Sequence, residues 1–314
     1  MTDKVEESEI EVEVEVEVEE TVYDFSNFGD VFSVFWDEIS DEKLKGLISD
    51  HIEKLVKDSG ITGYDVIFLY DDDNSINSYH SNGIYHAVKD LNKKKNILMI
   101  VHFGGGQIEP AYLISKTCKR LSKTKFNAAI PRRAKSAATL ISLGAAEIHM
   151  GLLSELGPID PQFGGFPALG LSNAMEKIAE MSEQYPNASA AQYAERLWSG
   201  KDLPGGKTPE TLADHFTNHY KDHGCVIDAD EASSLLGKKI VKEGSKEYEL
   251  SNSIYDFFGP LQYLFGAYKN KNMRYVGSIK SGMDLTEKKR NRHLTSCSNG
   301  LLTFGCGSFL THFS

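Results

Sequence analysis

A chain of 314 residues, 40% hydrophobic and 25% charged, has the size and composition of a soluble globular protein and excludes a wholly disordered or collagen-like one. Its formal charge of −11 is concentrated at one end: residues 1–20 hold Asp3 and nine glutamates against Lys4, which leaves the body nearly neutral. A near-neutral body gives little electrostatic reason to bind nucleic acid or an anionic membrane, and no run reaches the roughly 18–20 apolar residues that span a bilayer. The N-terminus is acidic where a signal peptide would be basic and then apolar, so the expected compartment is the cytoplasm.

In chain order, Glu9 to Glu20 alternates Glu with Val or Ile. The like charges on one face of such a strand repel, so residues 1–40 are read as an acidic, disordered tail, with a strand pairing at a subunit edge as the alternative. From Asp41 the pattern changes. Leu44, Ile48, Ile52 and Leu55 stand at helical spacing, and Tyr64 to Tyr70 reads as a buried strand closed by Asp71-Asp-Asp-Asn74. Ile76 to Leu91 reads as helix, Asn96 to His102 as strand, Glu109 to Leu121 as helix and Lys125 to Ile130 as strand. A helix starting near Ser136 and a strand from Glu147 to Met150 follow. Strands alternating with helices of this length imply parallel βαβ crossovers, hence an α/β core. A Gly/Pro-rich loop runs from Gly151 to Gly170, and the stretch to about Phe258 reads mainly as helix.

The four cysteines, Cys118, Cys225, Cys297 and Cys306, lack CxxC pairing or metal-ligand spacing and read as free thiols, so no metal and no cofactor is expected. The chemistry lies at two strand-to-helix junctions. In Ile100-Val-His-Phe-Gly-Gly-Gly-Gln107 three glycines end a strand, permit positive φ and leave backbone N–H groups open to an anion. A tight turn or a phosphate cradle would use the same glycines, although the Walker Gly-Lys-Ser/Thr sequence is missing. In Ala129-Ile-Pro-Arg-Arg-Ala-Lys-Ser-Ala-Ala138 a strand passes through Pro131 into a helix of small residues, with Ser136 at its start. There a hydroxyl meets the positive end of a helix dipole, as a nucleophile or as an ordinary N-cap.

The stretch Ile130 to Gln162, with its Ala-Lys-Ser-Ala core and Gly-Pro-Ile-Asp-Pro-Gln signature, resembles the serine dehydrogenase proteinase family, a branch of the Clp protease and signal-peptide-peptidase-A superfamily with a crotonase-like fold. The likeness extends from about Gly60 to Gly237, and after Gln162 it rests on His223-Gly-Cys-Val-Ile-Asp-Ala-Asp-Glu-Ala232. It implies a Clp/crotonase-like core of repeated ββα and βαβ units over 41–165 and a helical extension for oligomerisation over 166–260; residues 1–40 and 250–314 lie outside the likeness, and the C-terminal segment 261–314 shows neither periodicity. It also implies a serine peptidase acting on a peptide or protein, with Ser136 as nucleophile and N–H groups of Gly105 or Gly106 and of Ala137 as the oxyanion hole. The run here is Phe-Gly-Gly-Gly where the family more often has Ser/Thr-Pro-Gly-Gly, which leaves Gly105 and Gly106 both open as donor. Homo-oligomers follow from the same likeness.

The general base is less legible. Where the Clp protease has a histidine, this chain offers Asp160, read as a turn former between Pro158 and Pro161. Signal-peptide-peptidase relatives use a lysine, and Lys177, 41 residues past Ser136, stands at about the separation of membrane-associated relatives. Lys135, Lys201 and Lys207 are further candidates, and His219 and His223 read as base, cap or surface residues. Two other classes fit the same core: an inactive assembly scaffold, suggested by the missing histidine, and an acyl-CoA enzyme of crotonase type.

Overall fold

The computed structural model describes residues 22–37, 39–90, 94–160, 162–163, 166–167 and 188–288. Lys177, the acidic alternation before residue 22, Cys297, Cys306 and the chain after 288 lie outside the described residues.

A twisted sheet forms the middle layer. Its parallel strands are β1 (Tyr64–Asp71), β2 (Asn96–Phe103), β3 (Phe126–Ala129), β5 (Glu147–Met150) and β9 (Val241–Glu243), and two antiparallel strands, β10 (Lys271–Ser278) and β11 (Met283–Glu287), continue it beyond β1. The order is β11-β10-β1-β2-β3-β5-β9. A short side branch leaves it where β2 pairs β4 (Arg133–Ala134), which in turn pairs β6 (Glu155–Leu156). Two two-residue strands, β7 (Gln162–Phe163) and β8 (Phe166–Pro167), make a separate hairpin.

Alternation along the strands sorts the core into two halves. Ile97, Met99, Val101 and Phe103 of β2 face one side, and Leu98 and Ile100 face the other. The first side is covered by α3 (Ser78–Val88), α4 (Ile108–Leu121), α5 (Ala137–Leu143), α6 (Ala188–Trp198), α7 (Pro209–Asp214) and α8 (Ala229–Leu236). The second is covered by α1 (Phe28–Trp36), α2 (Asp41–Asp58) and α9 (Lys246–Tyr268). Burial on both faces explains why β1 and β2 read as nearly continuous apolar runs.

The α/β reading and the Clp-like core agree with this architecture. Two stretches differ from their sequence reading. Residues 22–36, inside the tail as drawn, carry α1, whose Val31, Val34 and Phe35 are buried against the second face. The C-terminal segment, without visible period, supplies β10 and β11. In β10 Tyr275 and Val276 are adjacent and both buried, because the strand is covered on both faces.

Candidate active site

The two glycine and serine junctions meet. Phe103, the last residue of β2, lies beside Ala134 of β4, and its carbonyl accepts the N–H of Lys135 at 3.0 Å. This bond brings the Gly104–Gly106 turn against the backbone that enters α5. A Cβ added to Gly105, whose φ is +114°, would stand 2.7 Å from Ser136 Cβ and 3.0 Å from the Lys135 carbonyl oxygen. Only glycine allows that approach. At Gly106 an added Cβ would stand 2.2 Å from the Ile76 nitrogen. There the turn is strapped to the segment after β1: Ile76 donates to the Gly105 carbonyl at 2.9 Å, and Gln107 donates to that of Ile76 at 2.8 Å. Both bonds are made by neighbours of Gly106, which leaves the N–H of Gly106 out of the strap.

Ser136 adopts φ 52°, ψ −119°, a left-handed backbone that a non-glycine residue occupies at a cost of about 1–3 kcal/mol. An N-cap serine has an extended backbone and accepts a bond from the next turn, and the Ser136 side chain makes no such bond. Ser136 is half-buried beside Gly105, held by a sharp strand-to-helix turn of the kind that presents nucleophiles in hydrolases. Ala137 is the first residue of α5, so its N–H has no acceptor within the helix. Gly105, Gly106, Ser136 and Ala137 therefore come together.

The candidate bases separate. The Lys135 ammonium donates to the carbonyls of Leu156 at 3.2 Å and Cys225 at 3.1 Å and pairs with Glu155 at 2.9 Å, so it is a brace. Lys207 donates to the carbonyls of Ser234 and Leu235 at the end of α8. Lys201 donates to the carbonyls of Leu143 and Ala145, at the opposite end of α5 from Ser136, seven residues and about 10 Å of helix away. Burial, helped by the nearby Lys119, pulls its amine down to about 7. A neutral amine has two N–H groups, which suits its two carbonyls. His219 stacks on His215 with ring centroids 4.1 Å apart.

Sequence pattern misses one pair. Asp160, read as a turn former, has a side chain only 4% exposed, and its Oδ1 lies 2.6 Å from Nδ1 of His223. The partners are 63 residues apart, and nothing in local spacing links them.

A polar cluster braces the other face of the sheet beneath the glycine turn. His102 lies 2.9 Å from Asp72, which also accepts from Arg133 at 2.6 Å. Burial alone would raise the Asp72 carboxyl, but His102 and Arg133 outweigh it and hold it well below the usual carboxylate range. Among the described residues no group of three His, Cys, Asp or Glu side chains is arranged to hold a metal ion, and no helix is long and apolar enough to cross a membrane.

Residues 66–185 match the family described as ClpP-like SDH-type serine proteinase. Two uncharacterised proteins of Methanocaldococcus jannaschii are similar to this chain. One is 30% identical over 164 residues, 49% of this chain and 57% of its own length; the other is 33% identical over 100 residues, 32% and 34%. The chain thus spans about half, and about a third, of the lengths of these relatives. Among solved structures, a serine-to-alanine mutant of the 1510-N membrane-bound stomatin-specific protease aligns with TM-score 0.39 at 17% identity, covering 58% of this chain and 81% of that one. ClpP1 from Listeria monocytogenes aligns with TM-score 0.38 at 12% identity, covering 62% and 98%.

Proposed function

We propose, for a chain whose residues 66–185 match the family of ClpP-like SDH-type serine proteinases, that it hydrolyses peptide bonds through an acyl-enzyme on Ser136. The observation that carries this reading is the left-handed Ser136, which makes no cap bond and sits against a glycine turn that a single methyl group would obstruct. Strain at a half-buried hydroxyl has no structural return here, and its use is to present Oγ to a substrate carbonyl. As Oγ attacks, the carbonyl oxygen gains charge, and in this reading the N–H groups of Ala137 and of Gly105 or Gly106 receive it. Each such donor is worth about 10²–10³ in rate. Collapse breaks the C–N bond and expels the amine, which carries away the proton lost by Oγ; water then attacks the ester carbonyl, the acyl group leaves as a carboxylic acid and Oγ regains a proton from that water.

The sequence's own candidate for the base, Lys177, lies outside the described residues. Homo-oligomeric assembly, a cytoplasmic setting and the division into core and helical extension belong to the same reading. The test is rapid-mixing kinetics on a chromogenic peptide ester with wild type and Ser136→Ala. A burst equal to the enzyme concentration, absent from the variant, supports the acyl-enzyme. Turnover that survives in Ser136→Ala refutes it.

A further inference from the structure

A different part of the surface carries apolar side chains that peptide hydrolysis at Ser136 does not use. On α1, Phe32 and Trp36 are 38% and 70% exposed, and Tyr268, at the end of α9, is 46% exposed. Single exposed aromatics are ordinary on a protein surface. These three touch one another: Tyr268 meets Phe32 edge-on with ring centroids 5.7 Å apart, and meets Trp36 at 6.3 Å. Beneath them Phe35 packs edge-on against the buried Phe265 at 5.0 Å, and Lys269 donates to the Ile39 carbonyl at 2.9 Å, which locks α1 to the end of α9. The result is a preformed shallow groove of about 560 Å³ lined by Phe35, Trp36, Tyr268 and Lys269.

We propose that residues 289–314 of the same chain dock on this patch. The chain leaves the described residues beside it. Lys288 donates its N–H to the Asn270 carbonyl at 3.0 Å, and Asn270 is two residues past Tyr268. Gly266 leaves room for the Lys288 ammonium, which a Cβ there would strike, so the last described side chain lies against the final turn of α9. The sequence then runs on for 26 residues. Leu294 stands six positions past Lys288, a reach of about 20 Å when extended, and Leu301, Leu302, Phe304, Phe309, Leu310 and Phe313 follow. Two residues of chain and one ring contact separate Asn270 from Trp36, well inside that reach.

Charge favours this end of the chain over the other. Residues 289–314 contain no Asp or Glu and open with Lys289, Arg290 and Arg292, whereas residues 1–20 carry nine glutamates. Asp37, next to Trp36, and Glu42, at the start of α2, are exposed. They attract the first segment and repel the second. A second copy of the chain is a poorer occupant, since a specific interface engages about 20–30 residues on each side and this patch offers three rings. A tethered segment needs no such area. It is held at about millimolar local concentration, where a contact with a Kd of about 1 mM is made about half the time.

Trp36 reports the docking. The sequence has two tryptophans, and Trp198 is only 1% exposed, so acrylamide quenching of fluorescence reads Trp36. The experiment compares full-length wild type, Trp36→Phe, and a full-length variant carrying Leu294→Ser, Leu301→Ser, Leu302→Ser, Phe304→Ser, Phe309→Ser, Leu310→Ser and Phe313→Ser, each at several protein concentrations. Circular dichroism checks that every variant is folded, and Trp36→Phe should remove the quenchable component. The quenching constant of Trp36 should be lower in wild type than in the serine variant by about twofold or more, at every concentration. Benzoylphenylalanine in place of Phe304 should cross-link, within one chain, to the peptide that carries Phe32 and Trp36 or to the one that carries Tyr268. Equal quenching in wild type and the serine variant overturns the proposal, whether Trp36 is open in both or covered in both. Protection that fades on dilution, with cross-links only between chains, assigns the patch to a second copy and overturns it as well.

Discussion

Gly105→Ala is the most informative single substitution in the site. The new methyl group would meet Ser136 Cβ at 2.7 Å and the Lys135 carbonyl oxygen at 3.0 Å, on a backbone at φ +114°. Carbon atoms rest about 3.5–4.0 Å apart, so the turn and the serine must separate by about 1 Å. A misplacement of about 1 Å costs about 10² in rate, and loss of an oxyanion donor about 10²–10³. The conformational strain costs about 1–3 kcal/mol of stability, well within what a domain of this size withstands. Fluorophosphonate labelling should therefore fall by about 10² or more in a protein that still melts cooperatively, a few degrees lower. Labelling at the wild-type rate in folded Gly105→Ala would refute the placement of the glycine turn against the nucleophile.

Ser136→Gly should be inert yet about 1 kcal/mol more stable than Ser136→Ala in urea unfolding, because glycine alone takes the left-handed backbone without strain. Lys135→Met strands the Cys225 carbonyl and leaves that of Leu156 to the Ile227 N–H alone, and should cost about 1–3 kcal/mol in the same measurement and slow labelling through the loosened β6. Lys201 gives a pH dependence. Its amine is lowered in the folded state, so the unfolded chain binds the extra proton between pH about 7 and about 10 and stability rises with pH across that window, by at most about 1.4 kcal/mol per unit. Lys201→Met should flatten the rise in thermal melts, and an unchanged slope would show that the amine is not held neutral.

The parallel core was legible because each βαβ unit writes its own period, from Tyr64 to Met150 nearly without interruption. The Ser136 turn and the glycine turn were legible for a related reason: both are strand ends whose residue types are dictated by backbone conformation. What was hidden is what depends on distant pairing. β10 and β11 gain their place from β1, about 200 residues earlier, and so carry no local alternation. Asp160 and His223 are joined only because β6 and the segment before α8 lie side by side. Lys201 read from sequence as one candidate base among several, and only the fold buries it against the end of α5.

The central claim is that Ser136 is the activated nucleophile of a serine peptidase. Full-length protein is incubated with a fluorophosphonate, digested, and searched by mass spectrometry for the adduct. A single adduct on the peptide containing Ser136, absent after heat denaturation, is the predicted result. A folded protein that gives no adduct, or one on another residue, would contradict it.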